Sequence, residues 1–224
     1  VTETCRARWL LLALLTATAC SSAFGCSKKV EAPSAAERQL ATSVGIEARV
    51  VVAARGAGEH LRRLQGFDSE RGRTPGRGLT IDVPSASAQT VARELRRTAG
   101  RGYVVFISEQ SFGIGDKPDS VSIVKTADPM EVVRLMGTDG ANYDLDNAAV
   151  IARLRQWDTR YGLILTGAGP DWMQADFRHP PRDMRAFAQE VYRLCPDVVD
   201  QGTESVEALA AEMTRTNSVY LWWD

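Results

Sequence analysis

The chain has 224 residues, 44% of them hydrophobic and 25% charged, with a formal net charge of −1. That balance fills the core of one globular unit of generous size and excludes a disordered chain, a repeat array or a multidomain machine. It also lacks the basic face that duplex phosphate requires, so no nucleic-acid partner is expected.

Arg6 and Arg8 precede an apolar run, Trp9 to Leu15, which relaxes into Thr16-Ala17-Thr18-Ala19 and turns polar at Cys20-Ser21-Ser22. A spanning helix needs about 20 mostly apolar residues, so the shorter run reads as a secretory signal. Of four cysteines, only Cys195 lies beyond position 26, which excludes a disulfide framework within the mature monomer. Ala17-Thr18-Ala19-Cys20 and Ala23-Phe24-Gly25-Cys26 both resemble the lipobox of bacterial lipoproteins, whose cysteine becomes the lipidated N-terminus. The resemblance implies a signal peptide and lipobox over 1–26, a membrane partner reached through a lipid anchor, and a place in the cell envelope. Neither cysteine is followed by Asp, which favours the outer membrane if the source is Gram-negative. Cys20 fits the shorter apolar core, and Cys26 has Gly25 before it and Ser27-Lys28-Lys29 after it, so lipidation at Cys26 or Cys20 stays open. The plainer alternative is an ordinary cleaved signal with incidental cysteines.

Residues 27–43 are small, polar and Ala-rich, with little to bury, and read as a flexible tether reaching roughly 20 to 25 Å. Residues 44–111 read as an N-terminal α/β extension of the same globular unit. It opens on the β-branched run Val50-Val51-Val52, followed by a short helix around His60 to Leu64. The Gly/Pro/Arg density of Arg71 to Gly78 reads as a solvated loop and a boundary. Leu79, Ile81 and Val83 alternate as in a strand, and Ala88, Val91, Ala92 and Leu95 form a helical stripe ending at Gly100. Tyr103 to Ile107 and Val121 to Val124 are strand-length apolar runs. Asp128-Pro129-Met130-Glu131 starts a helix, and another runs from Asp146 to Tyr161 with Gly162 as its stop. Leu163 to Thr166 and Trp172 to Phe177 read as strands, and Pro181 opens a helix buried on Met184, Phe187, Val191 and Leu194. Val206, Leu209, Ala210 and Met213 mark a last helix before the strand Val219 to Trp223. The expected fold is an α/β or α+β sandwich, a mixed sheet of about five to seven strands with helices packed on it.

Gly137-Thr138-Asp139-Gly140-Ala141-Asn142-Tyr143, Cys195-Pro196-Asp197, Gln201-Gly202-Thr203 and the closing Leu221-Trp222-Trp223-Asp224 together resemble the bacterial domain of unknown function family 4253. The resemblance covers Phe112 to Asp224, about half the chain. It implies a compact domain over 112–224, with the preceding segment completing its sheet, and carries no activity or catalytic residue with it.

The densest polar and aromatic cluster is Asp171-Trp172, Asp176 and Arg178-His179. A carboxylate beside His179 can orient a general base, which makes His179 and Asp176 the candidates for catalysis. No nucleophile or metal motif accompanies them. Cys195 ends a helix, where the dipole disfavours a thiolate, and reads as structural. Asp139, Asn142, Asp144 and Asp146 lack the Gly and Glu positions of a calcium loop, and helix capping explains them more economically. Gly113 to Asp116 and Gly167 to Pro170 read as turns without phosphate-binding signatures. Asp224 places a side-chain carboxylate beside an α-carboxylate, a partner for an Arg. Residues 49–101 hold eleven basic and five acidic side chains, and 102–224 hold eleven and nineteen, so the two halves should dock on each other. The expected function is a lipid-anchored extracytoplasmic binding protein for a protein or small-molecule ligand. Its binding residues are Asp171, Trp172, Arg178, Asn142, Trp223 and Asp224, with no metal or cofactor. The alternative is a hydrolase-like enzyme with its site from Asp171 to His179.

Overall fold

Apolar residues recurring every second position in the strands and every third or fourth in the helices sort this chain into a sheet with helices on both faces. The computed structural model describes residues 31–224 apart from Ser69 and Gly113. The signal, the lipobox cysteines Cys20 and Cys26, and the first part of the expected tether lie outside the described residues. In chain order the elements are α1 (Ala35–Val44), α2 (Ala48–Ala57), β1 (Glu59–Asp68), β2 (Gly72–Val83), α3 (Ser85–Ala99), β3 (Val104–Glu109) and β4 (Asp119–Val124). Then follow α4 (Met130–Met136), α5 (Asn147–Tyr161), β5 (Leu163–Ala168), β6 (Trp172–Phe177), α6 (Met184–Leu194), α7 (Val206–Thr216) and β7 (Ser218–Trp222). The seven strands form one mixed sheet in the order β1-β2-β4-β3-β5-β6-β7, antiparallel throughout except where β3 meets β5. This is the α/β architecture expected.

Because side chains alternate across a strand, each face has its own core. Leu79, Ile81, Val105, Ile107, Val121 and Ile123 pack under α1, α2 and α3. On the other face Phe106, Leu165, Met173, Phe177, Val219 and Leu221 pack under α4 to α7, with Trp157 and Phe187 in edge contact at 5.0 Å. Fully burying an aromatic or branched aliphatic side chain contributes roughly 1.5 to 3 kcal/mol, so the two cores dominate stability. Asp146 caps α5 and Asp183 caps α6 through side-chain oxygens that accept from Ala149 N–H and Ala186 N–H. Among the described residues no helix is long and apolar enough to cross a membrane.

Several local expectations are corrected. Residues 35–44 are helix α1 and not a loose tether. Ser34 Oγ accepts from the Glu37 N–H at 3.2 Å while Glu37 accepts from the Ser34 N–H at 2.6 Å, and Ala41 and Val44 are buried. Val50 to Val52 lie in helix α2, because Val50, Val51 and Ala54 share its buried face and packing overrides their β-propensity. The expected helix at His60 to Leu64 is part of strand β1. The expected loop at Arg71 to Gly78 is mostly strand β2, whose register on β1 jumps between Arg63↔Leu79 and Gln65↔Pro75. The extra residues of β2 bend the outer hairpin over the face of the sheet. That hairpin then meets α4 so closely that a Cβ on Gly66 would lie 2.6 Å from the Leu135 carbonyl oxygen. The helix expected from Pro181 begins at Met184, after the Asp183 cap.

Candidate functional site

The register of β6 on β7 sets Trp172 opposite Trp222 and Gln174 opposite Tyr220. All four are half-exposed; Trp172, Gln174 and Tyr220 lie on the α3 face, while Trp222, on the edge strand, also packs against the α4–α7 core. The Trp172 and Tyr220 rings stack with centroids 5.8 Å apart and planes inclined by 23°. The Tyr220 hydroxyl donates to Gln110 Oε1 at 3.2 Å, tying the ring to the segment after β3. The Gly-rich turn between β5 and β6 is the bed of the indole, since a Cβ on Gly169 would lie 2.1 Å from Trp172 Nε1. The result is a recess of about 520 Å³ walled by Phe112, Trp172, Tyr220 and Trp222. Asp171 and Asp224 line it as well, and both are exposed.

The recess has one sign of charge. Its described lining residues include two aspartates and no Lys, Arg or His. Burial, and then the neighbouring Asp171 carboxylate, push the Tyr220 hydroxyl up to about 12. Burial also raises the Asp139 carboxyl, with Asp171 and Asp146 acting in the same direction.

Behind the recess sits a polar knot centred on the buried Asp197, with its partners at the surface. Its carboxylate accepts from the Tyr143 hydroxyl, from Gln201 Nε2 at 2.8 Å and from the Asp224 N–H at 3.0 Å. Burial works against this charge, but the bonds from Tyr143, Asp224 and Gln201 hold the carboxyl below the usual carboxylate range. The buried Trp223 indole donates to the Leu194 carbonyl at 3.2 Å and lies so close to Gly140 that a Cβ there would approach within 2.8 Å. Cys195 is buried and its Sγ donates to the Trp222 carbonyl at 2.9 Å, with burial pushing the thiol up to about 12. The Trp223 N–H donates to the Asp171 carbonyl at 2.9 Å. The loop after α4, the turn after α6 and the end of β7 are therefore fastened to one another, and the recess is built on that fastening.

Residues 120–224 match the family described as Domain of unknown function (DUF4253). The matched DUF4253 segment begins inside β4, eight residues after the start expected at Phe112, and contains the whole Asp197 knot with most of the recess. No curated protein and no solved structure matches the chain.

Of the sequence-derived candidates, Asp171, Trp172, Trp223 and Asp224 meet at the recess, with Trp223 buried behind its wall. Arg178, His179, Asp176 and Asn142 are not among its lining residues. Arg178 and His179 are exposed beyond the far end of β6, and six residues at about 3.3 Å each put Arg178 roughly 20 Å from Trp172. Asp176 is half-buried, and burial pushes its carboxyl up against the opposing pull of Arg96 and Arg93. Asn142 is exposed on the loop after α4. No Arg pairs with Asp224 among the described residues, whose N–H is held by Asp197 instead. Among the described residues no group of three or more His, Cys, Asp or Glu is placed to hold a metal ion. Gln110, Phe112, Tyr220 and Asp197 were not expected. Asp197 sits inside a motif that carried the family resemblance and Tyr220 directly precedes another, but only cross-strand pairing and tertiary contact show their use.

Proposed function

We propose that this chain is a lipid-anchored extracytoplasmic binding protein whose recess receives a cationic side chain from a basic protein partner. The observation that carries this reading is the pairing of stacked aromatic walls with two aspartates and no cation in one recess. A Lys or Arg head placed over an indole gains roughly 0.5 to 2 kcal/mol from the ring quadrupole, more as water is excluded, and the aspartates add attraction over a longer range. The scatter of His179, Asp176 and Asn142 away from this recess gives the hydrolase-like alternative no common centre.

Calorimetric titration with an arginine-rich peptide tests the reading. Trp172→Ala and Asp171→Asn should each weaken binding at least tenfold, about 1.4 kcal/mol, and added salt should weaken it further. Equal binding of a glutamate-rich peptide, or unchanged binding by Trp172→Ala, would contradict it. The anchor is a separate part of the proposal. It predicts palmitate incorporation that a Cys20→Ser, Cys26→Ser double variant loses, and an unlabelled parent protein would overturn it. Each buried methylene of an acyl chain contributes about 0.8 kcal/mol, so several chains would hold the body at the bilayer.

A further inference from the structure

On the opposite face of the sheet, under the bent β1–β2 hairpin, lies a second cleft of about 160 Å³. Its floor breaks the apolar rule of the sheet. Thr80, Ser122 and Ser108 are buried in a row across β2, β4 and β3, joined by hydroxyl–hydroxyl bonds of 2.7 Å each. Ser108 also reaches the Ser120 carbonyl at 3.3 Å. A carbonyl only accepts, so Ser108 donates to it, Ser122 donates to Ser108, and Thr80 donates to Ser122. The row therefore spends its protons internally and leaves acceptor capacity on Thr80 Oγ1, at the cleft.

The rim is ionic but self-neutralised. Arg62 pairs with Asp82 at 2.7 Å and Arg73 with Glu109 at 2.9 Å, while Ser120 Oγ accepts from Arg62 and lies 3.3 Å from both carboxylates. The remaining wall is mostly apolar, made by Leu64, Phe67, Met136 and Pro170, with Gln65 its one further polar side chain.

We propose that this cleft binds a neutral polyol of monosaccharide size. One polar wall that mixes donors with acceptors faces one apolar wall, which is the pattern of a sugar ring with hydroxyls around its edge and C–H groups on its face. Either sign of charge on the ligand would meet a rim whose cations and anions already have partners, and desolvating an unpaired charge is costly. The volume equals that of about five waters, enough for one small ring and too little for a chain.

The full chain is titrated by calorimetry and ligand-observed NMR with glucose, galactose, N-acetylglucosamine and inositol, and in parallel with glucuronate and glucosamine. At least one neutral compound should bind, with the charged sugars at least tenfold weaker. Thr80→Val, which keeps the shape and removes the hydroxyl, should weaken the neutral ligand about tenfold. Glu109→Gln, at the exposed rim and outside the core, should selectively improve glucuronate by freeing Arg73. Trp172→Ala should leave this site unaffected, which separates it from the recess. No binding of any neutral compound, equal binding of the charged sugars, or no response of glucuronate to Glu109→Gln would overturn the proposal.

Discussion

Asp197 is the single residue on which the recess most depends. It is a buried carboxylate with three protein donors, so removing its charge unbalances groups from three segments at once. Asp197→Asn should cost about 2 kcal/mol or more near neutral pH, measured by urea unfolding. The folded carboxyl lies below its ordinary value, so its contribution is present above about pH 4 and is lost as pH falls through the folded value. The parent protein should therefore lose stability over that acid range, and the Asn variant should lose less. An identical acid profile for the two would show that Asp197 is not the titrating anchor. At this scale the sequence is legible where chemistry is intrinsic to the side chain. Asp171, Trp172 and Asp224 stand out as polar and aromatic neighbours of a turn or an end. His179 stands out equally but lies at the wrong end of its strand, because proximity in sequence along an extended chain is distance in space.

At the level of elements, α3, α5 and α7 are readable because each has a clear apolar stripe and a cap or a stop. The β1–β2 hairpin is not. Its Arg and Gly content imitates a loop, yet at Gly66 and Gly78 backbone from a neighbouring element occupies the space a Cβ needs, and Gly72 takes a positive φ in the turn. Gly66→Ala should force the hairpin away from α4 and destabilise the protein by about 1 to 3 kcal/mol, read from the denaturation midpoint. An unchanged midpoint would mean the hairpin is free to move. The hydroxyl row beneath it was equally hidden. Thr80, Ser108, Ser120 and Ser122 look like ordinary polar positions of alternating strands until the sheet order puts three strands side by side.

For the whole molecule, the sheet order matters more than the list of strands. The DUF4253 match begins in β4, but β4 lies between β2 and β3, and β3 alone connects it to β5. The earlier segment is thus woven through the matched one, consistent with the charge asymmetry that favours docking of the two halves. Residues 120–224 expressed alone would leave β4 with no neighbouring strand and half the sheet uncovered. They should give a poorly dispersed NMR spectrum, and a well-dispersed one would show that the family segment folds independently. No arithmetic of strand periodicity reveals this interleaving, because it depends on which non-consecutive strands pair.

The central claim is that the Trp172 and Trp222 recess, set on the Asp197 knot, is where a basic partner is received. Indole Nε1–H resonances assigned by single Trp→Phe substitutions, followed during titration with an arginine-rich peptide, test it most directly. Trp172 and Trp222 should move together and saturate, while Trp157, fully buried in the opposite core, stays in place. Movement of neither recess indole, or a shift of Trp157 as large as theirs, would contradict the account.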